Sequence, residues 1–165
     1  MNRRSFACLL PALFCLLSVP AWAGGKAGEK ASVTFHIEAD RNDNPKLIFP
    51  EPVGGKERIF RRLPDVTLKD VKDFSPFQAS DGTTYGVLIT LKDNAATRLA
   101  ALTATNPDRY LLAMVNGRAV DAVLIDKQVT DGKLVIWKGI TALEIQECDK
   151  LVPRPGAKDK DKKKN

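Results

Sequence analysis

The sequence is poor in the side chains that build reactive or cross-linked sites. It has one histidine, His36, and three cysteines among 165 residues. Two of the cysteines, Cys8 and Cys15, lie in a leader that we expect to be removed, which leaves only Cys148. A single cysteine cannot form an intramolecular disulfide, so the folded part must be stable from its core alone. A lone histidine likewise provides no material for a histidine-dependent triad or a transition-metal site.

Motifs for enzymatic chemistry are also missing. The sequence contains no nucleophile elbow, no glycine-rich phosphate loop and no cluster of histidines and cysteines with metal-ligand spacing. Its aspartates and glutamates are scattered, and its histidine has no evident partner for acid–base chemistry. We therefore predict a protein that is not an enzyme and that uses no cofactor and no bound metal.

One acidic segment has part of the spacing of a calcium-binding loop. Asp40, Asn42 and Asn44 fall at positions one, three and five of such a loop, and Glu51 falls at position twelve. Pro45 stands where the loop needs the glycine of its sharp turn, and the flanking segments are typical of strands. A polar turn between two strands is the favoured interpretation.

His36 and Cys148 each allow a structural and a functional interpretation. Apolar and polar side chains alternate in residues 31–38, and His36 falls on the polar face. We therefore predict a solvated strand residue rather than a ligand or a base. Cys148 follows a predicted helix, where a half-buried small residue fits, and the alternative is a reactive or intermolecular thiol.

Residues 1–23 have the pattern of a secretory signal peptide. Two arginines near the start precede an apolar core at 6–19, and the small-x-small segment at 21–23 marks a cleavage site. The apolar core is too short to span a bilayer comfortably, although an uncleaved anchor or a lipoprotein signal is the alternative. We predict an exported chain, periplasmic or secreted, with no transmembrane domain after cleavage and with a flexible spacer at 24–30.

Positive charge is concentrated at the two ends of the chain. The formal net charge is +6, to which the leader contributes +2 and residues 154–165 contribute +4. The body of the chain is therefore neutral. A neutral body argues against specific nucleic-acid binding, which needs a basic folded face.

The C-terminal residues 149–165 are rich in lysine, proline, glycine and aspartate, and we predict a disordered tail. Lys162, Lys163 and Lys164 are candidate contacts for an anionic envelope surface, such as lipid headgroups or cell-wall polymer. The alternative is a tail that only increases solubility.

A short predicted strand at 58–62 carries the other candidate contacts. Arg58, Arg61 and Arg62 give this strand a basic outer face. They form either a solvated, charged edge that blocks strand-to-strand aggregation or a contact for an acidic protein partner.

The segment from Tyr85 to Glu147 has the clearest pattern of secondary structure. Asn116-Gly117 predicts a tight hairpin turn, and Thr141 with Glu144 predicts a capped last helix. We predict a single α+β domain at residues 31–148, in which helices cover one face of an antiparallel or mixed sheet. The predicted helices are 67–74, 95–105 and 141–147, and the predicted strands of this segment are 85–91, 109–115, 119–125 and 133–137.

The pattern upstream of that segment is less regular. A strand at 46–49 precedes a predicted loop at 50–56, which holds two prolines and two adjacent glycines. Phe74 and Phe77 are expected to pack the short helix at 67–74 onto the sheet, with an exposed docking cluster as the alternative.

The order of apolar positions and turns after residue 85 is shared with a known family. The residues that carry it are Val87, Ile89 and Leu91, then Leu102-Thr103-x-x-Asn106, and then Tyr110-Leu-Leu-Ala-Met-Val-Asn-Gly117. With Leu63-Pro64 upstream, the stretch 63–147 resembles the first periplasmic domain, the head, of SecD, an accessory subunit of the bacterial protein-export translocon. The resemblance implies a ferredoxin-like arrangement of sheet and helices.

This sequence departs from the SecD pattern in three ways. Val123 stands where the family usually has proline, and neither the glycine-rich segment nor the downstream membrane helices of the family are in this sequence. The resemblance therefore implies the fold of the head, and not the coupling of export to the proton gradient.

Two functions follow as expectations. The first is a non-catalytic interaction module that contacts exported polypeptide or the translocon, for example by strand addition at an exposed sheet edge. The second is an envelope-associated structural protein that its lysine-rich tail holds to anionic surfaces.

Overall fold

The fold is seen in a computed structural model that describes residues 31–157. The predicted signal peptide at 1–23, the spacer at 24–30 and the three lysines Lys162, Lys163 and Lys164 lie outside the described residues. Nine strands, two α-helices and a short 3-10 turn at Leu68–Asp70 make up the described part. In chain order they are β1 Val33–Ile37, β2 Ile48–Val53, β3 Lys56–Arg61, β4 Val66–Thr67, β5 Val71–Gln78, β6 Tyr85–Leu91, α1 Asp93–Thr105, β7 Tyr110–Val115, β8 Arg118–Leu124, β9 Lys133–Ile140 and α2 Ala142–Asp149.

The strands form three sheets with antiparallel pairing. One sheet has the order β4-β1-β7-β8, a second has the order β5-β6-β9, and β2 and β3 form a separate hairpin. Both helices contribute to one apolar core, through Ala95 and Leu99 of α1 and Ile145 of α2. The predicted α+β class is confirmed.

Two local sequence signals form the predicted structures. Asn116 and Gly117 have positive φ angles of 51° and 77° and join β7 to β8 in a two-residue turn. The Thr141 hydroxyl accepts from Glu144 N at 3.2 Å, while the Glu144 carboxylate accepts from Thr141 N at 2.8 Å. This reciprocal capping box starts α2.

The predicted helix at 67–74 is wrong, because these residues form one 3-10 turn and then strand β5. The helix-start signal itself is real, since Asp70 Oδ2 accepts from both Thr67 N and Thr67 Oγ1 at 2.9 Å. After one turn the chain pairs with β6 instead, and this pairing buries Val71 and Phe74. Tertiary pairing here overrides a local capping signal.

The predicted loop at 50–56 is wrong over its first half, because Pro50 and Pro52 lie within β2. In the described part β2 pairs only with β3, so it is an edge strand, and an edge tolerates residues that lack an N–H group. Gly54 and Gly55 supply the turn, with positive φ angles of 59° and 75°.

The folded part extends beyond residue 148, the boundary that the sequence suggested between domain and tail. Val152 is only 5% exposed and belongs to the apolar core. Pro153 O accepts from Phe74 N at 3.3 Å, and the guanidinium of Arg154 lies 4.7 Å from the centre of the Phe74 ring. Burial of the Val152 side chain is enough to hold the polar segment after α2 against β5.

Candidate functional site

The three arginines predicted as partner contacts do not form one free basic surface. Arg58 Nη1 donates to Glu38 Oε1 at 2.8 Å, and its guanidinium lies 4.1 Å from the centre of the Tyr110 ring. Arg62 Nη2 donates to Ile48 O at 2.8 Å. Arg58 and Arg62 therefore help to fasten the β2–β3 hairpin, and their role toward a partner stays a prediction.

His36 is buried, so the prediction of a solvated strand residue is wrong. It is 6% exposed, because the β2–β3 hairpin packs against its side of β1. Its Nδ1 lies 2.8 Å from Arg61 O, its Nε2 lies 2.9 Å from Thr34 Oγ1, and its ring meets Phe49 edge-on at 5.5 Å. Burial lowers the pKa of His36. His36 is thus a neutral structural residue at neutral pH, while the Arg61 side chain lies on the surface near Asp65.

Cys148 is a structural residue of the core. Its side chain is buried and lines an apolar cavity of ≈ 20 Å³ together with Phe74 and Ile145. Burial raises the pKa of the Cys148 thiol to about 11, so the reactive thiolate is scarce at neutral pH. The structure favours the small buried residue over the reactive thiol.

The segment with calcium-loop spacing is engaged in separate contacts of the fold. Asp40 Oδ2 accepts from Arg109 Nη2 at 2.9 Å, and Asn44 Oδ1 accepts from Lys46 N at 3.0 Å. Glu51 lies within strand β2. Across residues 31–157 no group of three histidine, cysteine, aspartate or glutamate side chains could hold a metal ion.

A cleft between β8 and β9 is the strongest candidate for a binding site. β8 is the last strand of one sheet and β9 is the last strand of another, and no strand ladder joins them. Val120 and Asp121 of β8 lie against Gly139 and Trp137 of β9, so the two strands run antiparallel as neighbours. They meet at this end, and toward Leu124 residues of both strands line one cleft.

Hydrogen-bond alternation shows which backbone groups of β8 face this cleft. Ile125 N donates to Arg109 O at 2.9 Å, so residues 123 and 125 are bonded toward β7. The N–H and C=O groups of Ala122 and Leu124 therefore point away from β7. The Ala122 N–H is capped by Asp121 Oδ1 at 2.9 Å.

The same alternation holds on β9. Leu91 N donates to Gly132 O at 2.9 Å, so residues 132, 134 and 136 face β6, and the backbones of Lys133, Val135 and Trp137 face away from it. Asp131 Oδ1 caps Lys133 N at 3.1 Å, and Asp121 Oδ2 caps Trp137 N at 2.7 Å.

Two backbone positions at the cleft are left without a cap. Among residues 31–157, no hydrogen bond reaches the outward N–H and C=O groups of Leu124 on β8 or of Val135 on β9. Unpaired strand edges are the groups that bind an added strand.

The cleft between the two edges has an apolar lining and a volume of ≈ 340 Å³. Trp137 is 59% exposed and Leu124 is 44% exposed at its walls. Lys127 and Lys133 add positive charge to the lining, against one carboxylate from Asp126. The remaining lining residues are mostly core side chains, among them Phe35, Leu111, Val129 and Leu134.

An exposed aromatic pair continues the apolar surface beyond the cleft. The rings of Phe77 and Trp137 meet at 6.2 Å with their planes 69° apart. Phe77 is 36% exposed and lies over Gly86, so it does not pack a helix onto the sheet as the sequence suggested. Of the two predicted alternatives, the exposed cluster describes Phe77 and the buried one describes Phe74.

The cleft residues were not singled out by the sequence. Leu124 and Val135 belong to predicted strands, but nothing in the periodicity shows that the two strands are edges that lie side by side. The one available signal was Trp137, a large aromatic residue two positions before Gly139 in an aromatic-poor chain. The described residues define an α+β domain with an open-edged apolar cleft.

Two of the solved structures that this chain resembles are of one protein. The structure of a membrane component, SecDF, that enhances protein export is 20% identical, with a TM-score of 0.54 over 73% of this chain and 61% of that chain. A crystal structure of SecDF in a super-membrane-facing form is 19% identical, with a TM-score of 0.53 over 78% of this chain and 20% of that chain. No family model and no curated protein matches the sequence.

The fold of this chain is therefore SecD-like, as the sequence resemblance implied. The chain corresponds to only part of each SecDF chain that it matches. None of the helices within residues 31–157 is long and apolar enough to cross a membrane.

Proposed function

We propose that this chain is an exported, non-catalytic domain that binds extended segments of exported polypeptides in the cleft between β8 and β9. The observation that carries the proposal is the pair of uncapped strand edges at Leu124 and Val135, which face one apolar cleft. An extended backbone supplies both the donors and the acceptors that such edges need. Apolar side chains of an unfolded segment fit the lining, because they leave water for an apolar wall.

Two further observations support a place in protein export. The SecDF protein that shares this fold enhances protein export. The leader at 1–23 has the pattern of a signal peptide, which supports a location in the periplasm or outside the cell. A chain that is exported unfolded exposes apolar segments, and a domain with an open apolar cleft fits that ligand.

Tryptophan fluorescence offers a direct test, because Trp137 is the only tryptophan in residues 24–165. We expect the emission of Trp137 to shift to shorter wavelength when a chain comprising 24–165 is titrated with a permanently unfolded, reduced polypeptide. Leu124→Asp should weaken this binding by about tenfold or more, since a charge replaces an apolar contact. Leu143→Asp is the matched control, because Leu143 is exposed on α2 and does not line the cleft. Equal affinities of the two variants would show that the polypeptide does not bind in the cleft.

The envelope-associated alternative makes a different forecast for the same variants. Attachment through Lys162, Lys163 and Lys164 would give binding to anionic vesicles that is lost on deletion of 158–165 and that salt weakens. Such binding would be indifferent to Leu124→Asp. The two functions are therefore separated by one pair of variants and two ligands.

A further inference from the structure

Asp121 is a single carboxylate that joins the two strand edges of the cleft. Its Oδ1 accepts from Ala122 N on β8 at 2.9 Å, and its Oδ2 accepts from Trp137 N on β9 at 2.7 Å. One residue earlier on β8, the Val120 carbonyl oxygen would lie 3.1 Å from a Cβ placed on Gly139. The two edges are thus close together at this end of the cleft.

The spacing at Asp121 leaves no room for a third strand. Paired strands lie about 4.8 Å apart, so a strand inserted between two edges would hold them about 9.6 Å apart. A carboxylate that accepts from both edges keeps them closer than this. It also occupies the two N–H groups that an inserted strand would use.

We propose that Asp121 is the inner stop of the cleft, a specificity-determining residue that limits the length of the extended segment that can bind. This inference rests on the proposed function. The outer limit on β9 is set by Asp131, which caps Lys133 N at 3.1 Å. Between Lys133 and Trp137, only the outward backbone of Val135 is uncapped. The site therefore takes a short extended segment of about five residues, the length of strand between those two capped positions.

Calorimetric titration with peptides of increasing length tests whether Asp121 limits the length of the bound segment. The probes are peptides of alternating valine and threonine, four, six, eight and ten residues long. We expect the affinity of the wild-type chain to improve up to about six residues and then to stay constant, because later residues find no edge. In Asp121→Ala the improvement should continue to longer peptides, by about fivefold for each backbone hydrogen bond gained.

Further variants show whether Asp121 limits the length of the bound peptide or only stabilises the fold. Glu57→Ala removes an exposed carboxylate of β3, away from the cleft, without freeing a backbone N–H, and it should keep the wild-type plateau. Asp121→Asn keeps the side-chain size but offers one acceptor atom instead of two. As in Asp121→Ala, its affinity should continue to improve with peptides longer than six residues. A uniform loss of affinity with an unchanged plateau would overturn the inference.

A measurement on the wild-type chain guards against variants that fail to fold. N-methylation of peptide residues beyond the sixth removes their donors, and it should leave the wild-type affinity unchanged. A several-fold loss on that methylation would show that the segment passes Asp121, and it too would overturn the inference. Absence of binding by every peptide to the wild-type chain would instead refute the proposed function itself.

Discussion

The two buried polar side chains of the described part each have one hydrogen-bond partner in a distant segment of the chain. His36 and Thr103 are the buried polar residues of the described part. Thr103 Oγ1 donates to Leu99 O at 2.9 Å and accepts from Val129 N at 2.9 Å, which ties the segment before β9 to α1. A buried polar group without a partner costs about 1–3 kcal/mol, so each contact also fixes the segment that supplies it.

A pH-dependent stability follows from His36. Because burial lowers the pKa of this histidine in the folded chain below 6.5, the unfolded chain takes up a proton at a higher pH. The stabilising contribution is complete above about pH 6.5 and is lost as the pH falls toward the folded pKa. We expect urea unfolding to give a smaller free energy at pH 5 than at pH 7.5. Glutamine does not titrate in this range, so His36→Gln should remove the contribution of His36 to this difference in unfolding free energy. An unchanged difference between the two pH values would show that other groups cause it.

Gly86 is required by a close approach rather than by its backbone angles. A Cβ at this position would lie 2.3 Å from the Phe77 ring and 2.7 Å from the Ile136 carbonyl oxygen. The ring can move, but the carbonyl belongs to the β6–β9 pairing. We therefore expect Gly86→Ala to lower the free energy of unfolding by about 1–3 kcal/mol and to expose Phe77 further. Thr90→Ala in the same strand should cost less in urea unfolding, and an equal cost would contradict this account.

At the scale of elements, the β2–β3 hairpin acts as a cover for β1. Phe60 of β3 is fully buried, and Phe49 of β2 meets both Phe60 and His36. Ala39 N donates to Ile59 O at 2.8 Å, which joins the hairpin to the chain just after β1. The hairpin is thus held by aromatic packing and a few polar contacts rather than by a long ladder.

Truncation of Phe60 should loosen the packing of the β2–β3 hairpin against β1. We expect Phe60→Ala to lower the free energy of unfolding by about 3–5 kcal/mol, because a fully buried side chain is lost from the packing. The pKa of His36 should rise toward its ordinary value as water reaches the ring. A proton NMR titration of the single histidine measures this rise, and Leu47→Ala, at an exposed position before β2, is the control. A histidine pKa that stays low in Phe60→Ala would show that other residues bury the ring.

Elements with strong local signals were predictable, and elements set by pairing were not. The Asn116-Gly117 turn and the Thr141–Glu144 capping box act within a few residues, so their signals survive in any context. The 67–74 segment carries an equally good capping signal, yet it becomes a strand because β6 lies beside it. The burial of His36 depends in the same way on a hairpin that begins 12 residues later, at Ile48.

At the scale of the whole molecule, the fold places two sheet edges side by side without joining them. The α+β class and the SecD-like arrangement were readable in the sequence, since both rest on the order of strands and helices. The cleft was not, because it depends on β8 and β9, the last strands of separate sheets, meeting at Asp121 with no strand ladder between them. No periodicity reports the absence of a hydrogen bond between two strands.

Amide hydrogen exchange tests whether these edges stay open in solution. Ile136 N–H is bonded toward β6 by the strand alternation, whereas the neighbouring Val135 N–H faces the cleft without a partner among residues 31–157. We expect the Val135 and Leu124 amides to exchange much faster than those of Ile136 and Val123, although all four lie within strands. The Trp137 amide should be protected by Asp121, and its exchange should become fast in Asp121→Ala.

A bound peptide should slow amide exchange selectively at Val135 and Leu124, because a strand then pairs with them. Slow exchange at both positions in the free chain would mean that β8 and β9 close on each other in solution, and the cleft would then be no binding site for an extended segment.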